Sequence, residues 1–293
     1  MTYEEFWKPL TAVYDRGEAK AVARMAIEMG FGLSTTDIVC GKVEAIDESI
    51  LLPMQQRLLT GEPVQYVLEK AEFAGHTFIV EKGVLIPRPE TQELCQWIIE
   101  TQRSETSPTI LDIGTGSGCI ACTLAAALPD ASVTAWDISE KALDVARHNA
   151  DRLNVSICFE QKDILQQSMA NGQCSMLNGQ WTMVNGQCSM FNVIVSNPPY
   201  VCEHERTDME RGVLDFEPAL ALFVPDDDPL LFYRSIARFA SSALEPGGWL
   251  FLEANPLHIN ELQQILATFG FTDTKIRDDL FGKQRFVSGR RPK

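Results

Sequence analysis

The sequence predicts an α/β fold: a doubly wound, mostly parallel seven-stranded sheet joined through a β-hairpin linker to a small N-terminal all-helical domain. Three observations predict it. From Thr109 onward, short apolar runs alternate with helix-length stretches, which implies a parallel sheet covered by helices on both faces. Residues 1 to 72 lack strand alternation and read as short amphipathic helices. Between the two, Phe73 to Ile86 alternates around Gly75-His76 and Lys82-Gly83, the pattern of a hairpin. The expected domains are therefore 1–72 and 73–293.

In chain order, the helical part contains periodic stretches at Ala19 to Met29 and Pro53 to Thr60, broken at Gly30-Phe31-Gly32 and Gly61-Glu62-Pro63. After the hairpin comes Pro87-Arg88-Pro89-Glu90-Thr91, a rigid turn that holds Arg88, and a helix is expected to begin at Thr91. Seven strands come next, at Thr109 to Ile113, Ser132 to Trp136, Val155 to Glu160, Phe191 to Ser196, Trp249 to Ala254, Thr272 to Arg277 and Arg285 to Ser288. Helices separate the first six. Asp278 to Gln284 is too short for a parallel crossover, so the last strand should run antiparallel. One insertion interrupts the order: Asn171 to Phe191 repeats a heptad three times, NGQCSML, NGQWTMV, NGQCSMF. Asn-Gly favours tight hairpins and a glycine in every repeat disfavours helix, so the segment is either a small β-meander or a disordered loop at the rim of the site.

Composition narrows the function. The 293-residue chain is 45% apolar, enough for a sizeable core, and its formal net charge of −15 argues against a partner held through phosphates. No stretch of 18 uncharged apolar residues occurs, and Glu4, Glu5 and Asp15 stand where a targeting segment would be basic and apolar. A cytoplasmic location is expected. The eight cysteines show no paired metal spacing. Cys119 and Cys122 form a CxxC at the start of an expected helix, where small buried residues explain them better than redox or zinc chemistry does.

Four features sit at successive strand ends, where ligands bind in open α/β sheets. Gly114-Thr115-Gly116-Ser117-Gly118 succeeds the first strand and opens a helix at Cys119; its glycines admit a ligand close to the backbone, and the helix N-terminus offers free N–H groups. The spacing is GxGxG, and Cys119 stands where a dinucleotide fold's third glycine belongs, so a nucleotide-like ligand other than NAD or FAD fits better. Asp137 ends the second strand, placed to accept from ribose hydroxyls. Asp163-Ile164 comes after the third, placed to accept from an adenine amino group and to cover its face. Asn197-Pro198-Pro199-Tyr200 comes after the fourth. There an amide oxygen, a carbonyl and an aromatic face can hold a planar group bearing an NH2, although Asn-Pro alone also reads as a plain turn and Tyr200 as packing. Glu217 and Glu253 read as solvated or structural acids, not as bases.

With Ile86-Pro87-Arg88-Pro89-Glu90-Thr91, the glycine loop, Ser196-Asn197-Pro198-Pro199-Tyr200 and Phe216-Glu217-Pro218-Ala219-Leu220 in view, the chain resembles the class I S-adenosylmethionine-dependent methyltransferases. Within them it is similar to the PrmC/HemK family of protein-(glutamine-N5) methyltransferases. The resemblance spans nearly the whole length and implies a Rossmann-like methyltransferase domain, a helical N-terminal substrate-recognition domain and S-adenosyl-L-methionine as cofactor. It implies a class I peptide chain release factor as protein substrate, methylated on the glutamine of a Gly-Gly-Gln loop, with no membrane and no stable nucleic-acid partner. Gly114 to Gly118, Asp137 and Asn197 would bind the cofactor; Asn197, Pro198, Pro199 and Tyr200 would bind the glutamine, and Asn197, Pro198 and Tyr200 would carry the catalysis. Ile164 departs from the pattern, since some relatives carry an aromatic residue there, and the NGQ repeat is foreign to it. The rival enzyme is a DNA N6-adenine methyltransferase, which shares NPPY but needs a basic target-recognition domain that the chain does not display. A noncatalytic module on the same fold predicts loss of the glycine loop or of Asn197, and both are present.

Overall fold

The computed structural model describes residues 1–103, 105–167 and 191–293, with 175–177, 180–182 and Asp208 described in backbone only. The chain divides into two compact units.

One unit comprises Met1–Ala71, Val80–Lys82 and Asp208–Glu217. Several of its helices begin where side chains satisfy free N–H groups. Thr2 and Glu5 form a capping box on Tyr3–Trp7, and Asp15 accepts from the Gly17 and Glu18 amides at the start of Arg16–Phe31, which ends at Gly32 with φ 68°. The expected Pro53 start is corrected: Asp47 caps a helix running Glu48–Leu59, and Pro53 lies inside it. Capping by Asp47 and burial of Leu51 and Leu58 outweigh the bond that the proline cannot make. Phe6, Leu10, Ala23 and Ile27 complete this core.

The hairpin also sits earlier than the alternation suggests. Its strands are Lys70–Phe73 and His76–Ile79, turned at Ala74 (φ 50°) and Gly75 (φ 79°), a pair of left-handed residues of the kind that tight hairpins demand. The helix expected from Thr91 starts at Pro89, whose missing N–H is harmless in the first turn.

The other unit holds the central sheet. We number its strands β1 (Thr109–Ile113), β2 (Ser132–Asp137), β3 (Ile157–Gln161), β4 (Phe191–Ser196), β5 (Leu244–Glu253), β6 (Thr272–Asp278) and β7 (Gln284–Arg290). Their order across the sheet is β6-β7-β5-β4-β1-β2-β3. β1 to β5 pair in parallel, and β7 runs antiparallel to both β5 and β6. Alternate side chains on β1 and β4 enter opposite cores. Leu111 and Ile194 meet Tyr233, Ile236 and Leu262 on one face; Ile110, Val193 and Val195 meet Leu94, Ile120 and Leu124 on the other. The sheet is doubly wound.

Register then fixes which residues emerge together at the strand ends. Ile113 is level with Trp136 and with Ser196, and Ser196 with Leu252. Gly114, Asp137, Asn197 and Glu253 therefore lie along one edge of the sheet. Within the NGQ repeat, Ser175–Leu177 and Gln180–Thr182 pair antiparallel with each other. The rest of the meander-or-loop expectation lies outside the described residues.

Candidate functional site

A cavity of about 300 Å³ opens at this edge. Gly114, Gly116, Asp137, Asp163, Ile164, Asn197, Pro198 and Pro199 line it, so the strand-end residues singled out in the sequence meet around one space. Thr115, Ser117, Gly118 and Tyr200 do not line it.

The glycine loop is built for close approach. Gly114 and Gly116 have φ of 74° and 55°, and a Cβ added at either would meet nothing within 4 Å. The Trp136 carbonyl accepts from the Gly114 and Thr115 amides at 2.8 and 2.9 Å, pinning the loop to the end of β2. Behind the loop, the Thr115 hydroxyl donates to Asp112 Oδ2 at 2.6 Å, and Asn149 Nδ2 donates to the Ser117 carbonyl at 2.9 Å. At Gly118 a Cβ would lie 2.9 Å from that of Ala146, so this glycine sets how closely two helices pack. Cys119 and Cys122 are buried in the core beneath it.

Asp137 faces the cavity with both oxygens anchored: Oδ2 accepts from the Gly116 amide at 2.8 Å and Oδ1 from the Ser139 amide at 2.9 Å. Burial raises its pKa, and the bonds from Ser139 and Gly116 oppose that shift. Each oxygen keeps a lone pair for a ligand hydroxyl. Asp163 Oδ1 accepts from the Leu165 amide at 2.9 Å, which leaves Oδ2 for a ligand donor, and Ile164 is buried beside it. Asp112 is fully buried; desolvation lifts its carboxyl to about 7 against the opposing bond from Thr115.

At the NPPY segment, Asn197 Nδ2 donates to Thr91 Oγ1 at 3.1 Å. Neither Asn197 Oδ1 nor the Pro198 carbonyl accepts a hydrogen bond among the described residues, and both residues line the cavity. Tyr200 turns away from the cavity. Its ring packs on the core around Tyr233, and its hydroxyl donates to Glu253 Oε1 at 3.1 Å. Burial, followed by the Glu253 charge, pushes the phenol's pKa up.

Several site residues give no distinct signal in the sequence. Val84 and Leu85 beyond the hairpin, and Pro218, Leu220 and Phe232, supply apolar wall. Of these, Pro218 and Leu220 belong to the Phe216 to Leu220 segment, whose only signal is the family resemblance. Glu253, read as a solvated or structural acid, is 1% exposed and accepts from Thr91 Oγ1 at 2.7 Å.

Comparisons with known proteins identify the family. A family model described as a methyltransferase domain matches residues 110–185. The release factor glutamine methyltransferase of Bacteroides thetaiotaomicron is 40% identical over 96% of this chain and 96% of its own length. That of Flavobacterium psychrophilum is 38% identical over 97% and 95%. Among solved structures, the protein-(glutamine-N5) methyltransferase (release factor-specific) of Alicyclobacillus acidocaldarius is 26% identical, with a TM-score of 0.42 over 71% of this chain and 95% of that one. At such identity over nearly the full length of both partners, the chain belongs to the release factor glutamine methyltransferase family.

Proposed function

We propose that the protein transfers a methyl group from S-adenosyl-L-methionine to the side-chain amide nitrogen (N5) of the glutamine in the Gly-Gly-Gln loop of peptide chain release factors. The observation that carries this reading is the pair of acceptors, Asn197 Oδ1 and the Pro198 carbonyl, on residues that line a cavity shared with Asp137 and the glycine loop.

The residues present fit the cofactor. Open space over Gly114 and Gly116 admits it close to the backbone. Asp137 offers acceptors for a ribose diol, Asp163 and Ile164 an acceptor and a cover for adenine, and the apolar wall suits the remainder. When bound, it supplies a methyl group already activated on a sulfonium. The chain then contributes mainly position and electrostatics, and orientation of this kind is worth roughly 7 to 11 kcal/mol in model reactions. Asn197 Oδ1 and the Pro198 carbonyl would each accept one N–H of the substrate amide and hold its nitrogen toward the cavity. Pro198 and Pro199 stiffen that backbone. Tyr200, in this reading, holds the loop through its bond to Glu253. No side chain need act as a base.

The helical N-terminal domain, residues 1–72, is proposed as the substrate-recognition module. In support, its unit exposes Val39 (82%) and Ile50 (52%) while burying a core of its own. The net charge of −15 supports a protein substrate and no stable nucleic-acid binding. Among the described residues, no helix is long and apolar enough to cross a membrane.

The test incubates the purified protein with a release factor and methyl-labelled S-adenosyl-L-methionine and locates the label by mass spectrometry. The label should sit on the Gly-Gly-Gln glutamine and vanish with Asn197→Ala, since an acceptor that acts in the transition state is lost. Label on another residue, or comparable transfer to DNA, overturns the reading.

A further inference from the structure

We propose that Glu253 is a positioning residue which, acting through Thr91, fixes the Asn197 amide with its oxygen toward the cavity. The inference rests on the proposed role of Asn197 and adds what orients it.

The three residues come from distant parts of the chain. Thr91 stands in the first turn of the helix Pro89–Gln102, where its amide donates to the Arg88 carbonyl at 3.1 Å. Asn197 succeeds β4, and Glu253 ends β5. The bonds connect in one direction. Thr91 Oγ1 donates to Glu253 Oε2 at 2.7 Å, and Asn197 Nδ2 donates to Thr91 Oγ1 at 3.1 Å.

Proton counting explains why that direction matters. An ionised carboxylate only accepts, whereas a hydroxyl has a single proton to give. With Glu253 ionised, Thr91 spends its proton on Oε2 and can only accept from Asn197. The amide must then turn Nδ2 toward Thr91, and Oδ1 is left for the cavity. In the flipped orientation, Nδ2 would face the substrate's own N–H groups, donor against donor. Tyr200 occupies the other oxygen, Oε1, at 3.1 Å, so both lone-pair faces of the buried carboxylate draw protons inward. A network of this kind in low dielectric is rigid when every member is satisfied.

The relay has a built-in condition, because it needs the carboxylate charged. Burial raises the pKa of Glu253, while the bonds from Thr91 and Tyr200 and the charge of Arg285 lower it and Glu90 raises it. Among the described residues, Tyr233, Cys95 and Cys119 also interact with it. As pH falls through the raised pKa, Glu253 gains a proton that it can give to Thr91. The hydroxyl is then free to donate to Asn197, and the amide loses its single orientation.

The experiment uses the full chain. Thr91→Val keeps the shape and removes the hydroxyl, Thr91→Ser keeps the hydroxyl, and Glu253→Gln keeps the size while removing the charge. The expected result for Thr91→Val is a kcat reduced at least tenfold, with the calorimetric Kd for S-adenosyl-L-methionine within twofold of wild type. Thr91→Ser should restore most of kcat, which a simple packing role for the methyl group would not predict. In the ligand-free protein, the Asn197 side-chain amide resonances, assigned by their loss in Asn197→Ala, should shift with pH in the acid range, and Glu253→Gln should abolish that shift. Wild-type kcat in Thr91→Val, or an unchanged acid shift in Glu253→Gln, overturns the proposal. A wild-type protein inactive on release factors would overturn the proposed function instead, and the resonance titration still reads the relay.

Discussion

The Gly116 amide donates to Asp137 Oδ2 at 2.8 Å, so the carboxylate that ends β2 braces the glycine loop that ends β1. One side chain therefore shapes the loop and offers lone pairs to the same cavity. Asp137→Ala removes both contributions. Loss of a charge-assisted acceptor is worth about 1.5 to 3 kcal/mol, which predicts a Kd for S-adenosyl-L-methionine weaker by about 10- to 150-fold. Calorimetry at neutral pH decides it, and an unchanged Kd would place the ribose contact elsewhere.

Two glycines of one loop should answer differently to alanine. Gly118 has φ 79°, and its added Cβ would meet Ala146 Cβ at 2.9 Å. Left-handed strain of roughly 1 to 2 kcal/mol combines with overpacking of about 1 to 3 kcal/mol, so Gly118→Ala should lose about 2 to 5 kcal/mol of stability. Gly114 shares the positive φ but faces open space. Gly114→Ala should lose only the strain, about 1 to 2 kcal/mol, while its methyl group intrudes on the cofactor. Urea unfolding paired with cofactor titration separates the two, and equal losses in both assays would contradict the geometry.

The same contrast explains what can be read in the sequence. Gly114 to Gly118, Asp137 and the NPPY segment announce themselves because each comes after an apolar strand run and each residue type answers a local demand on backbone or charge. Thr91 and Glu253 do not. They lie 162 positions apart, and a threonine in a first helical turn or a glutamate at a strand end has an ordinary local explanation. The level register of β4 and β5 brings Glu253 to Asn197, and the helix Pro89–Gln102, packed on β5, brings Thr91. The apolar wall at Val84, Leu85 and Phe232 is silent for another reason: in one dimension, a cavity-lining apolar residue looks like a core residue. The early start of Glu48–Leu59 is hidden by Pro53, whose breaking tendency outweighs the cap at Asp47 in a purely local reading.

The NGQ repeat is expected to be dispensable. Its described pieces, Ser175–Leu177 and Gln180–Thr182, pair with each other and with no other strand among the described residues. Loop-closure entropy changes slowly with length, about 0.6 kcal/mol per doubling. Replacing residues 171–190 by a short Gly-Ser linker should leave the Tm and the affinity for S-adenosyl-L-methionine close to wild type. A deletion protein that folds but no longer binds the cofactor would make the insertion part of the site.

Asp112 should make the ligand-free protein less stable as pH rises. Its carboxyl is fully buried under the glycine loop, and desolvation, reinforced by the charge of Asp137, lifts it from 3.8 to about 7, opposed by the Thr115 bond. The folded state thus keeps a proton that the unfolded state has released, and stability falls across the window from about pH 4 to pH 7. At 1.36 kcal/mol per pKa unit, the loss between pH 5 and pH 8 is about 2 to 3 kcal/mol. Asp112→Asn keeps the size and an acceptor for the Thr115 hydroxyl, and it carries no charge at either pH. Urea unfolding of both proteins at the two pH values should therefore show the variant gaining on the wild type by about that amount as pH rises. A difference between the two proteins that stays constant from pH 5 to pH 8 would mean that Asp112 is ionised throughout the range, held by its bond from Thr115 and not neutralised by its burial.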